Sequence, residues 1–146
     1  LFAHARSAGI PTSLDASSVG ALSAWGPAES RRRFAELAPT LLFANEEECD
    51  YLDLIGQPLP GSILIAKHGA GIAEVRSAGG QLLAQLPANQ LPAGIDSTGA
   101  GDAFAGGLLV ARARGESWED ALSAGHKTAA DHLQRQATSS SEEEAS

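Results

Sequence analysis

Asp96 and Asp102 bracket the run Ser97-Thr98-Gly99-Ala100-Gly101, and an apolar segment beginning Ala103-Phe104-Ala105 follows. Gly99 and Gly101 can adopt φ > 0 and leave backbone N–H groups uncovered. The segment after them reads as a helix, whose first amides lack intrahelical acceptors and carry a partial positive charge. Such an assembly attracts anions, phosphate above all. If the turn did no more than hold phosphate, Asp102 would set negative charge beside negative charge. It has a use if it takes a proton from a group attacking that phosphate. The plain alternative is that a Gly-rich turn with Asp in the first turn is good helix-start chemistry and needs no ligand. Other nucleotide motifs are missing. No Gly-x-x-x-x-Gly-Lys-Ser/Thr occurs, and Gly-x-Gly-x-x-Gly fails at its third glycine, where Phe104 stands.

Several elements must position this turn. Leu1 to Ala8 reads as helix with Gly9 at its end, and Ile10 to Asp15 as a short strand closing on a carboxylate. Ser17 to Pro27 reads as loop. Ala28 to Leu37 reads as a charged helix with Phe34 and Leu37 inward, and Arg31, Arg32 and Arg33 on a solvated face. Leu41 to Ala44 and Ser62 to Ala66 are apolar runs expected to be buried strands. The first leads into Asn45-Glu46-Glu47-Glu48, an N-cap with a glutamate at the capping-box position. The second leads into Lys67-His68-Gly69-Ala70-Gly71, beyond a strand's carboxyl end, where ligands collect in α/β sheets. A simple turn into the next strand explains that segment nearly as well. Ile72 to Arg76 and Gln81 to Leu86 flank Ala78-Gly79-Gly80 and predict a hairpin.

The helix after Asp102 should run to about Ala113, with Gly115 beyond it. Gly106 and Gly107 weaken it, and close packing against a neighbouring strand would account for them. Ser117-Trp118-Glu119-Asp120 opens a last helix with Trp118, Ala121, Leu122, Gly125, Ala129 and Leu133 inward. Residues 137–146, rich in Ser and Glu without apolar periodicity, are expected to form a disordered acidic tail.

Composition narrows the function classes. With 43% apolar and 19% charged residues among 146, the chain can bury a core. A net charge of -8 and no basic stripe argue against nucleic acid or anionic membrane as partners, and no apolar run is long enough to span a bilayer. Cys49 stands alone, which fits a reducing cytoplasm. The four histidines lack zinc-binding spacing. The chain contains no methionine and opens in helical pattern, which predicts an internal fragment.

From Asp96 to Phe104 the sequence resembles the second signature of the PfkB, or ribokinase-like, carbohydrate kinases, Asp-(Ser/Thr)-x-Gly-Ala-Gly-Asp followed by Ala-Phe. Asn45-x-x-Glu48 and the Gly69 loop resemble two further family segments, the loop being about one residue tighter than usual. The resemblance implies an α/β fold: residues 1–136 as the C-terminal, ATP-side half of a three-layer α/β/α sandwich with a mostly parallel sheet, the N-terminal half being absent. It implies ATP-dependent phosphorylation of a hydroxyl on a sugar or sugar-like molecule. Asp102 would be the base, and Gly99, Ala100 and Gly101 the anion hole. Asn45, Lys67, Gly69, Gly71 and His126 would lie near ATP, His126 where the family commonly has Asn. Glu48 would act on Mg2+ through water, and Asp96 with the Thr98 carbonyl would hold a potassium-like ion. Here Gln134-Arg135-Gln136-Ala137-Thr138 lacks the glycine that usually completes that cation site. The partner implied is a small sugar or nucleoside, with a homodimer open for the complete protein. Two other readings remain: a non-catalytic nucleotide-binding or assembly module, and a nucleoside or vitamin kinase of the same superfamily.

Overall fold

The computed structural model describes residues 1–68, 71–87 and 98–143, with side chains to residue 138. Asp96, Ser97 and Gly69 lie outside the described residues. Two compact units divide the chain, Leu1–Gln85 and Leu86–Ser146.

In the first unit the order is α1 (Phe2–Ser7), β1 (Ser13–Asp15), α2 (Val19–Ser23), α3 (Pro27–Leu37), β2 (Leu41–Asn45), α4 (Glu46–Tyr51), β3 (Ile63–Lys67), β4 (Ile72–Arg76) and β5 (Leu82–Pro87), whose last residues reach the unit boundary. The five strands form one sheet in sequential order. β1, β2 and β3 are parallel, with Asp15 opposite Phe43 and Asn45 opposite Lys67. β4 turns back antiparallel to β3, so the sheet is mixed. Helical crossovers explain the parallel part, because parallel neighbours cannot be joined by a tight turn. The hairpin follows from Gly79-Gly80, Gly80 holding φ +82° while Ser77 N–H donates to the Gln81 carbonyl at 2.8 Å.

Leu42, Phe43, Ala44, Ile65, Ala66 and Val75 are buried, as strands covered on both faces require. On one face a core gathers Leu22, Phe34, Leu52, Leu54 and Leu59 around Leu42 and Leu64.

Three expectations need correction. The stretch from Ser17 to Pro27 is not all loop. Ser18 Oγ accepts from Ala21 N–H at 3.2 Å and starts α2, whose Leu22 is buried in the core. One cap and one anchor suffice for a five-residue helix, which is too short to show a period. The arginines are less alike than a solvated face implies. Arg31 donates to the carbonyls of Leu52 at 2.6 Å and Gln57 at 2.8 Å, tying α3 to the loop after α4. Arg32 and Arg33 pair with Glu29, and Arg33 also lies 4.4 Å over the Trp25 ring.

The third concerns the glycine pair. The second unit is built on α5 (Ala100–Ala113) and α6 (Trp118–Glu143). Gly107 meets not a strand but α6: a Cβ there would stand 2.6 Å from the Ala124 carbonyl oxygen. Gly125 on α6 in turn meets the Phe104 ring, 2.8 Å from where its Cβ would be. Contacts pairing early α5 with late α6 make the helices antiparallel. The inward stripe of α6 is otherwise as its period suggests, with Ala121, Leu122, Gly125 and Leu133 buried. Its backbone stays helical to Glu143, well into the Ser/Glu-rich stretch from Ala137. No Gly or Pro interrupts that stretch, so nothing local stops a helix already started.

Candidate functional site

In the first unit the carboxyl ends of three parallel strands bring Asp15, Asn45 and Lys67 to one edge of the sheet. Lys67 Nζ stands 3.6 Å from Asp15 Oδ2. With Asp15 nearly half exposed, the pair contributes little to stability. Asn45 caps α4: its Oδ1 accepts from Glu48 N–H at 2.9 Å, and Glu48 Oε2 accepts from Asn45 N–H at 2.8 Å. Glu48 Oε1 also accepts from Asn45 Nδ2 at 2.8 Å. Glu48 is therefore buried with both oxygens turned onto Asn45, and burial pushes its carboxyl above the ordinary range, opposed by the backbone bond from Asn45. The capping box is present, and no Glu48 oxygen is free of it. Cys49 beside it is no nucleophile, because burial pushes its thiol up to about 12.

β3 and β4 are joined through Lys67 and His68, with His68 N–H donating to the Ile72 carbonyl at 2.9 Å and Gly71 N–H to the His68 carbonyl at 3.0 Å. Around Gly71 the described backbone is thus a turn into the next strand.

In the second unit Gly99 precedes α5 with φ +79°, as its lack of Cβ permits, and supplies no side-chain cap. Ala103 N–H donates to the Gly99 carbonyl at 3.0 Å, so Ala100, Gly101 and Asp102 hold the three amides that precede the first intrahelical bond. Asp102 lies in this first turn with its side chain exposed. The Thr98 carbonyl, just before Gly99, meets His132 Nε2 at 3.1 Å and accepts from Gln136 Nε2 at 3.3 Å. A carbonyl only accepts, so His132 Nε2 carries the proton. These two side chains escaped the sequence reading. Their one trace there is a shared stripe with Gly125 and Thr128, at helical spacing.

A family model described as pfkB family carbohydrate kinase matches residues 21–145. The chain belongs to the pfkB family of carbohydrate kinases. The curated relative 2-dehydro-3-deoxygluconokinase of Dickeya dadantii (strain 3937) is 37% identical over 95 residues, which are 56% of this chain and 31% of the relative. Among solved structures, the Burkholderia thailandensis nucleoside kinase in complex with inosine is 29% identical, with a TM-score of 0.65 over 88% of this chain and 43% of that one. Anopheles gambiae adenosine kinase, in complex with P1,P4-di(adenosine-5) tetraphosphate, is 21% identical at a TM-score of 0.76, covering 90% of this chain and 44% of that one. The chain thus spans less than half the length of these PfkB relatives, and the α/β fold it shares with them is ribokinase-like.

His126 is half-buried. Its ring meets Phe104 edge-on at 5.1 Å between centroids, and Nε2 reaches the Leu86 carbonyl at 3.3 Å. Burial holds its pKa below the usual 6.5, and the bond to Leu86 opposes this less strongly. A base whose folded pKa is depressed binds fewer protons folded than unfolded. Its stabilising share is whole above about 6.5 and is lost as pH falls toward the folded value. His126→Gln, which keeps a donor for Leu86, should therefore flatten the fall in melting temperature between about pH 7 and pH 5. An unaltered slope would mean that His126 does not contribute to it.

Proposed function

We propose that the protein is an ATP-dependent phosphotransferase acting on a hydroxyl of a sugar or sugar acid, with 2-dehydro-3-deoxygluconate as the first acceptor to test. The observation that carries this reading is the exposed Asp102 in the first turn of α5, directly after the uncapped Gly99 turn. Phosphoryl transfer needs alignment and charge neutralisation more than covalent chemistry. The amides of Gly99, Ala100, Gly101 and Asp102 receive the charge that builds on the transferred phosphoryl group. Asp102 takes the proton of the acceptor hydroxyl while its oxygen bonds to the γ-phosphorus and the bond to the ADP oxygen breaks. Donors preorganised in this way have been worth roughly 3–4 kcal/mol each when removed from other enzymes. By the family resemblance, Asn45, Lys67, Gly69, Gly71 and His126 are assigned to ATP binding.

Magnesium, which the family implies, would neutralise phosphate charge. Among the described residues no three His, Cys, Asp or Glu side chains form a cage for an ion. Glu48, turned onto Asn45, could meet such an ion only through one of its waters. Among the described residues no helix is long and apolar enough to cross a membrane.

The sugar acid is tested first because the matching family is one of carbohydrate kinases and the Dickeya relative, 37% identical over 95 residues, is named for that acceptor. A coupled ADP-release assay on the full-length protein, with 2-dehydro-3-deoxygluconate, adenosine and inosine in parallel, tests the reading. The expected result is ADP release with the sugar acid at a rate at least about tenfold above either nucleoside, the sort of margin that a few polar contacts provide. Calorimetric binding of an ATP analogue with no turnover on any acceptor would instead support a nucleotide-binding module.

A further inference from the structure

Accepting the Gly99 turn as the phosphate cradle, we propose that His132 and Gln136 of α6 hold that turn in place, at the carbonyl where the family resemblance sets a monovalent cation. The potassium-like ion expected there would need a lone pair of the Thr98 carbonyl. That oxygen has two, and it already meets His132 Nε2 at 3.1 Å and Gln136 Nε2 at 3.3 Å. Both N–H groups point their positive ends at the oxygen that would have to face the cation. The Thr98 carbonyl therefore does not fit the ion, and α6 supplies the positive end of a dipole instead.

The helix pair is built to deliver these donors. Gly125, Thr128, His132 and Gln136 recur at spacings of three and four, so they share one face of α6. Gly107 and Gly125 bring the two helices together lower down, where a Cβ on either would overlap the other helix. Continuing along the same face, α6 reaches the start of α5. There His132 packs so closely on Gly99 that a Cβ at 99 would lie 2.8 Å from Nε2. Because the peptide unit is planar, fixing the Thr98 carbonyl also fixes the direction of the Gly99 N–H, and so the angle at which the chain enters the Ala100–Asp102 amides. His132 and Gln136 are thus positioning residues. They tie the length and register of α6 to the geometry of the anion hole.

The test uses the full-length protein, with the acceptor that supports turnover. Replacing potassium by tetramethylammonium at equal ionic strength should change kcat and the affinity for an ATP analogue by less than about twofold. His132→Ala should lower kcat by about tenfold or more with the acceptor KM nearly unchanged, and His132→Gln, whose amide reaches the same place, should recover most of the loss. A tenfold or greater activation of the wild type by potassium would overturn the proposal, as would a His132→Ala variant with normal kcat. If no acceptor is turned over, the kinase reading fails but the contact can still be read. A proton NMR spectrum should show a hydrogen-bonded His132 Nε2 proton, lost in His132→Ala. Its absence from the wild-type spectrum would refute the contact whatever the protein catalyses.

Discussion

Asp102→Asn in the full-length protein is expected to lower turnover by about 100- to 10,000-fold, the usual contribution of a positioned general base. Affinity for an ATP analogue should stay within a few-fold. The expectation separates two roles of one carboxylate. As a base, Asp102 must accept a proton, which asparagine cannot do although it fills the same space. The nucleotide would still meet the amides of Ala100, Gly101 and residue 102, none of which the substitution removes. As a helix-start charge, Asp102 would instead interact favourably with the α5 dipole. Losing that interaction weakens an exposed helix by roughly 0.3–1 kcal/mol and leaves chemistry alone. Paired measurements decide: turnover by coupled ADP release, and stability by thermal melt. A small melting shift with turnover lost assigns the base. A small melting shift with wild-type turnover returns Asp102 to helix-start chemistry and takes the phosphotransfer mechanism with it.

What could be read ahead of the structure was what neighbouring residues decide among themselves. The cap of Asn45 on Glu48, the turn at Gly79-Gly80 and the uncapped start of α5 each lie within a few residues of chain. β2 and β3 stood out because a parallel strand covered on both faces is an unbroken apolar run. Segments held by distant partners were harder. α2 depends on the burial of Leu22 and is too short to show a period. Arg31 looked like its two neighbours until the Leu52 and Gln57 carbonyls came within its reach. In the candidate site the same divide holds. The Gly99–Asp102 turn was legible as a unit, whereas the donors on Thr98 come from residues 34 and 38 positions away. Only the way α6 packs along α5 brings them there. Gly106 and Gly107 were legible as a weakness in a helix, but not as two glycines in different surroundings.

That difference gives the second large effect. Ala is a better helix former than Gly by about 1 kcal/mol in a helix interior, so propensity alone makes Gly106→Ala and Gly107→Ala equally stabilising. The packing separates them. A Cβ at 106 would meet nothing within 4 Å, and the residue is exposed, so Gly106→Ala should raise stability by about 0.5–1 kcal/mol. A Cβ at 107 would overlap Thr128 Oγ1 and lie 2.6 Å from the Ala124 carbonyl oxygen. Thr128 could rotate away, at the loss of its 2.8 Å bond to that same carbonyl. The carbonyl itself belongs to the α6 backbone and can retreat only if the helices part. Forcing a methyl into so close a contact typically costs 1–3 kcal/mol, which outweighs the propensity gain. Gly107→Ala should therefore destabilise by up to about 2 kcal/mol, the overpacking cost less the propensity gain, opposite in sign to its neighbour. Separating the helices would also draw His132 from the Thr98 carbonyl, so turnover should fall in Gly107→Ala and hold in Gly106→Ala. Urea unfolding of both variants reads the two signs directly. Equal stabilisation would show that α5 and α6 are not in close contact at Gly107, and the packing path to the Gly99 turn would fail with it.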